Sequence, residues 1–176
     1  MKVKVVEFSS DWKKDFENEK AVLAVVLHGI EYELHHIGST AIEGVAARPI
    51  IDMLLLVHDL DELDTRRSEI AVANYECLGE YGVSGRRYFR KLSEDGVVTH
   101  RMQAFLRSSD EAVRHLAFRD YLTYNRNAAL QYSRLKSELA MANPYNLDAY
   151  NRGKDPFIKR VESEAVEWYE NGKPTK

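Results

Sequence analysis

One cysteine, four prolines and nine glycines are all that 176 residues contain of the usual staples and chain breakers. Cys77 alone can form no internal disulfide, and no second thiol stands at metal-ligand spacing, so it reads as a small packed residue. Low glycine and proline exclude collagen-like and low-complexity chains. No apolar run approaches the roughly 20 residues of a membrane-spanning helix. Met1-Lys2-Val3-Lys4 is followed by alternating and charged sequence instead of an apolar leader segment. An excess of positive charge is also missing: 25 Lys and Arg stand against 28 Asp and Glu, a formal net of −3. No global field then draws the chain onto nucleic acid or an anionic bilayer, and any anion site must be local. The expectation is a cytoplasmic protein with no membrane partner and no nucleic-acid partner.

What is present is 44% hydrophobic and 30% charged residues, enough for one domain with a substantial core. Val3, Val5 and Phe8 suggest a short alternating strand, and Ser9-Ser10 offers caps for a helix from Asp11 to about Leu27. Phe16, Glu19-Lys20, Leu23 and Leu27 give that helix one buried stripe, which Gly29 ends. Tyr32 to Ile37 reads as a strand leading into Gly38-Ser39-Thr40. The run Pro49-Ile50-Ile51-Asp52-Met53-Leu54-Leu55-Leu56-Val57 suits a central strand covered on both faces. Asp59 to Asn74 looks helical, and Gly79, Gly82 and Gly85 mark turns. Arg86 to Leu92 and Val97 to Leu106 form an antiparallel pair joined through Ser93-Glu94-Asp95-Gly96. From Ser108 the period changes to that of helices, with capping-box spacing between Ser108 and Glu111. A second helix spans Ala128 to Ala142, stopped by Asn143-Pro144, and a last one follows Lys154-Asp155-Pro156. The fold class is α+β: a mixed sheet of about four or five strands with flanking helices over 1–107 and a helical part over 108–170.

Four features could carry chemistry. A strand that ends in Gly-Ser brings bare backbone and a hydroxyl to a sheet edge, where they suit a phosphate. Asp52, thirteen residues after Ser39, lies in an otherwise apolar strand. An unpaired buried carboxylate costs several kcal/mol, so it needs a partner or a function. It either holds a divalent cation bridged to the same phosphates, or pairs with Arg48 or a backbone group while Gly38-Ser39-Thr40 serves as a plain turn. Arg86, Arg87, Arg90 and Lys91 crowd one strand. Alternation puts Arg86 and Arg90 on one face with Tyr88, and Arg87 and Lys91 on the other with Phe89. Either pair could meet a phosphate, or the group could be a solvated edge. His100 could act as a general acid or base, or as a hydrogen-bonded structural residue.

The segments His35-His36-Ile37-Gly38-Ser39-Thr40-Ala41, "GRRYFRK", "THRMQAF", "HLAFRDYL" and "YSRLKSELA", with Trp168 closing the series, resemble the GrpB family, also called UPF0157. Its members typically read H-x-G-S-T-A-V-P-G-L-A-A-K-P-I-I-D. The resemblance runs from Trp12 to Trp168 and implies a nucleotidyltransferase-like fold. It implies further that Gly38, Ser39 and Thr40 hold a triphosphate, and that Asp52 is the first of a pair of magnesium-binding carboxylates. Arg48 keeps the charge of the family's lysine, and Lys136 falls where the family has a lysine that could touch phosphate. The second carboxylate position is Leu54, which cannot coordinate Mg2+. Glu43 stands where proline is usual, and Thr99-His100-Arg101-Met102-Gln103-Ala104 retains only His100 of a histidine cluster.

The expected catalytic residues are therefore Asp52 and His100, with Asp52 also the ligand of a possible Mg2+. The phosphate-binding set is Gly38, Ser39, Thr40, Arg48, Arg87, Lys91 and Lys136. The expected function is binding of a nucleoside triphosphate with a divalent metal and transfer of a nucleotidyl or phosphoryl group to a small acceptor. The alternative is a non-catalytic module for a nucleotide or other phosphorylated small molecule, on the same fold with reduced metal ligation.

Overall fold

The computed structural model describes residues 1–172, which fall into two compact units. One unit comprises Asp11–Ile37 and Ile50–Ala112. It holds helix α1 (Asp11–Val26), strands β1 (Tyr32–Ile37) and β2 (Ile51–Val57), short helices α2 (Leu60–Asp64) and α3 (Arg67–Val72), and strands β3 (Tyr75–Cys77), β4 (Arg87–Leu92) and β5 (Val98–Leu106). The strands form one mixed sheet in the order β1-β2-β5-β4-β3, in which β2 and β5 are parallel and every other pair is antiparallel.

β2 is an interior strand, between β1 and β5, and its apolar run suits coverage on both faces: every residue from Met53 to Val57 is buried. α1 lies on the face that carries Met53, Met102 and Phe89. Its Phe16 stacks on His36 at 4.9 Å, and its Glu19 reaches Tyr75 and Lys91. Trp12, Phe16, Glu19 and Leu23 make up the buried stripe of this helix. The segment expected as one helix over Asp59 to Asn74 is two. Asp59 caps α2 by accepting from the backbone N–H groups of Asp61 and Glu62. The Thr65 hydroxyl then closes onto the Glu62 carbonyl and Arg66 is tied to the His28 carbonyl, so the chain turns before α3 begins.

The other unit comprises Met1–Ser10, Gly38–Pro49 and the chain from Val113 onward. It holds most of α4 (Asp110–Tyr124), together with α5 (Arg126–Ala142) and α6 (Leu147–Glu170). Its core joins Ile42 and Val45 to Leu122, Ala129, Tyr132 and Val161. The boundary expected near residue 107 is thus crossed twice, by the N-terminal ten residues and by the segment that follows β1. The strand expected at Val3–Phe8 is only a single bridge between Val6 and Ala47, because its nearest neighbours are loop residues; the Val3 N–H donates to the Pro144 carbonyl. α6 starts well before Lys154-Asp155-Pro156, since Asn146 caps it by accepting from the Ala149 N–H. Pro156 then sits inside the helix, where it removes one backbone bond.

Leu122 is fully buried at the centre of this core. Leu122→Ala is expected to cost about 2–5 kcal/mol, measurable as a lowered denaturation midpoint with unchanged denaturant slope.

Candidate functional site

The residues singled out from the sequence separate into three groups. Asp52 lies on β2, and its parallel neighbour on β5 is Arg101. The two form a two-pronged pair: Arg101 Nε donates to Asp52 Oδ1 at 2.7 Å and Nη2 donates to Oδ2 at 3.0 Å. Their side chains are 22% and 34% exposed, so the pair is partly wet. This fork is the strong, planar form of a carboxylate–guanidinium interaction. Both oxygens of Asp52, expected from the sequence to be a catalytic, metal-holding carboxylate, are thus engaged by an internal guanidinium. Magnesium demands a near-octahedral set of oxygen ligands. Here the next residue on the same face of β2 is the buried Leu54, and no group of three His, Cys, Asp or Glu side chains could hold a metal ion among the described residues.

The face of Asp52 and Arg101 also carries Gln103 on β5 and Tyr88 and Arg90 on β4, which are register partners. Arg90 is paired with Glu76 on β3. Arg86, just before β4, donates to three neutral oxygens: the Gln103 amide at 2.9 Å and the carbonyls of Glu80 and Tyr81 at 3.1 and 2.6 Å. The turn that presents those carbonyls is unusual. Gly79, Gly82 and Gly85 have positive φ, and Tyr81 does too, at 47°, a conformation costing about 1–2 kcal/mol in a residue with a Cβ. Burial lowers the Arg86 pKa, against the pull of Tyr88, Glu111 and Tyr81. Tyr88 stacks with Tyr81 at 5.0 Å, and the Arg86 guanidinium lies 4.9 Å from its ring centroid.

His100, Lys91 and Arg87 lie on the opposite face, and each meets a different residue from Asp52. Arg87 is forked onto Asp64. Lys91 donates to Glu19 at 2.6 Å, Tyr75 donates to the same carboxylate at 2.7 Å, and His100 Nε2 lies 3.7 Å from it. Arg87 and Lys91 are thus not phosphate ligands shared with Asp52, and His100 is not its catalytic companion; the two-residue period of a strand separates them. Sequence reasoning missed Glu19 as the organiser of Lys91 and His100. The visible signal was an acid inside the apolar stripe of α1.

Gly38, Ser39, Thr40, Arg48 and Lys136 belong to the helical unit. Gly38 has φ 71° and ψ −170° and opens a 3-10 turn over Ser39–Ala41, in which Thr40 is buried. This backbone region is essentially restricted to glycine. The segment is held on α5: the Ala46 N–H donates to the Ser133 hydroxyl at 2.9 Å and Arg126 donates to the Glu43 carbonyl at 2.7 Å. Glu43 itself is exposed and Arg48 half-buried. Lys136 is buried, one turn after Ser133, with Nζ 4.3 Å from the Tyr132 ring centroid.

Gly38→Ala is expected to cost about 1–3 kcal/mol, or about 2–4 °C in Tm per kcal/mol for a chain of this size, read by calorimetry. His100 gives a pH signature. Burial, with Lys91, pushes its pKa below the ordinary value, against Glu19 and Asp15. The unfolded chain therefore takes up this proton first, and stability is lost as pH falls below the ordinary histidine pKa of about 6.5. His100→Asn is expected to flatten that acid limb in Tm measured against pH, and an unchanged limb would contradict the assignment.

The GrpB protein family model matches residues 2–164. A crystal structure of the conserved protein GrpB from Enterococcus faecalis has a TM-score of 0.89 and 40% identity, covering 94% of this chain and 99% of that one. UPF0157 protein YqkA of Bacillus subtilis is 36% identical over 95% of this chain, which spans about half (48%) of YqkA. The glutamate-rich protein GrpB of Alkalihalophilus pseudofirmus is 31% identical, over 91% of this chain and 94% of the relative. The Cid1 poly(U) polymerase is similar in fold alone, with a TM-score of 0.56 at 10% identity over 85% of this chain and 49% of that one. Mixed sheet, helical C-terminal part and the match along nearly the whole sequence agree: the chain belongs to the GrpB family, on a nucleotidyltransferase-like fold.

Proposed function

We propose that this protein is a binding module for a phosphorylated small molecule of the nucleotide class, which it takes up without a resident metal. The observation that carries this reading is the closure of Asp52 by the Arg101 fork. Where a transferase of this fold needs a carboxylate open to magnesium, this chain has a guanidinium already seated on it. Asp52 and Arg101 cancel each other's charge, so the pair offers no open carboxylate for metal-assisted transfer, and an anion must be met by another cation of this face.

Arg86 supports the reading. It uses three of its five N–H donors on neutral oxygens, keeping its charge while its position is fixed. The nucleotide class rests on the fold, since structures of Cid1 have been determined with magnesium 3'-dATP and MgATP bound. Magnesium-dependent transfer to a small acceptor is the competing outcome of the same test.

The experiment is thermal shift with ATP, GTP, CTP and UTP, in EDTA and in magnesium. At ligand about 100-fold above Kd, stabilisation is about 2.7 kcal/mol, a Tm rise of about 5–10 °C. The rise is expected to be equal in EDTA and magnesium, and to disappear in Arg86→Ala and Arg101→Met variants that keep a native near-UV circular dichroism spectrum. A rise that needs magnesium and is lost in Asp52→Ala would establish a metal–nucleotide site on Asp52 instead, and release of pyrophosphate would then show transfer. Absence of any rise in all conditions would remove the nucleotide class.

A further inference from the structure

Within the helical unit, a recess of about 440 Å³ is lined by Tyr121, Tyr124, Asn125, Arg126, Asn127 and Trp168. Neither face of the sheet contributes to it, and nothing in the preceding functional reading uses it. Its volume falls in the range of small-molecule sites. We propose that this recess is a separate binding site for a planar heteroaromatic anion, its ring against Tyr124 and Trp168 and its acidic group on Arg126.

The aromatic wall is rigid before any ligand arrives. Trp168 packs edge-on to Tyr121 at 5.7 Å and 73°, and lies 5.7 Å from Tyr124 at a tilt of 32°. The Tyr121 hydroxyl donates to Glu164 at 3.0 Å and accepts from the Asn125 amide at 3.1 Å. Asn125 is fixed again at its other end, where its side-chain oxygen caps α5 by accepting from the Ala128 N–H. Against this support Tyr124 is 53% exposed, an aromatic surface held in place with little rotamer entropy left to lose on binding.

Charge selects the sign of the ligand. The lining has one cation and no carboxylate. Arg126 is positioned by a neutral acceptor, the Glu43 carbonyl at 2.7 Å, so fixing it does not cancel its charge, and its guanidinium suits a phosphate or carboxylate. Hydrogen-bonding capacity selects flatness. A saturated sugar offers many hydroxyls, each needing a partner when desolvated. Both ends of the Asn125 amide are engaged, leaving Asn127 as the second amide of the lining. A flat heteroaromatic ring needs chiefly ring faces, and such stacking is worth about 1–3 kcal/mol per base.

The chain has two tryptophans, and Trp12 is buried in the other unit, so Trp12→Phe leaves Trp168 as a sole fluorescent reporter. In that background, adenosine 5'-monophosphate is expected to quench Trp168 saturably, adenosine to bind about tenfold more weakly, and ribose 5-phosphate to leave the emission unchanged. Arg126→Ala is expected to reduce the monophosphate affinity to that of adenosine without altering adenosine binding, and Arg126→Lys to recover part of the loss. Tyr124→Ala, at an exposed position, is expected to abolish both. Arg101→Met is expected to leave the titration unchanged, which separates this site from the one on the sheet. Equal binding of ribose 5-phosphate, saturable quenching by maltose alone, or no quenching at millimolar ligand would each overturn the proposal.

Discussion

A carboxylate near the start of an apolar strand must be answered, and in this protein the answer is the guanidinium next to it. Asp52 and Arg101 are brought opposite each other by the parallel register of β2 and β5, so their meeting follows from strand pairing and not from a flexible reach. Their partial exposure keeps the desolvation cost modest, since a fully buried pair can cost more than its attraction returns. Once the fork forms, the side chain on which metal chemistry would depend is in use, and the face around it is organised by fixed cations.

The same logic orders the reverse face. Glu19 is buried on α1 and receives Lys91 and Tyr75 directly. A buried carboxylate held this way restricts each donor that meets it. The cations of β4 are sorted by the acids that neighbouring elements present: Arg87 by Asp64 of α2, Arg90 by Glu76 of β3, and Lys91 by Glu19 of α1. What looks in sequence like a cationic cluster with one purpose is a set of side chains pulled in different directions by separate acids.

This accounts for what the sequence disclosed and what it hid. The strand Tyr32–Ile37 was legible to the residue because apolar spacing and the following glycine act locally. The division of Arg86 and Arg90 from Arg87 and Lys91 was legible from alternation alone. The Asp52–Arg101 contact was not, since forty-nine positions separate the two and only the pairing of β2 with β5 brings them together. Of the internal partners open to Asp52, Arg48 was named because nearness in sequence was the available guide; the partner is Arg101. The start of α6 was missed because Pro156 is a strong local stop signal, while the Asn146 cap and the packing of Tyr150 and Val161 on one buried face outweigh it.

Cations of two kinds result, and the difference decides where an anion can be held by a chain whose net charge is −3. Arg87 and Arg90 are fixed by carboxylates, so most of their field is cancelled where it arises. Arg86 in the sheet unit and Arg126 in the helical unit are fixed by carbonyl or amide oxygens, and hydrogen bonds to neutral acceptors immobilise a guanidinium without neutralising it. The backbone strain at Tyr81 has a counterpart in this arrangement, because the strained turn is what aims two carbonyls at Arg86. A protein without an overall positive field can then still meet a phosphate, provided that a few cations are held by dipoles and the rest by acids.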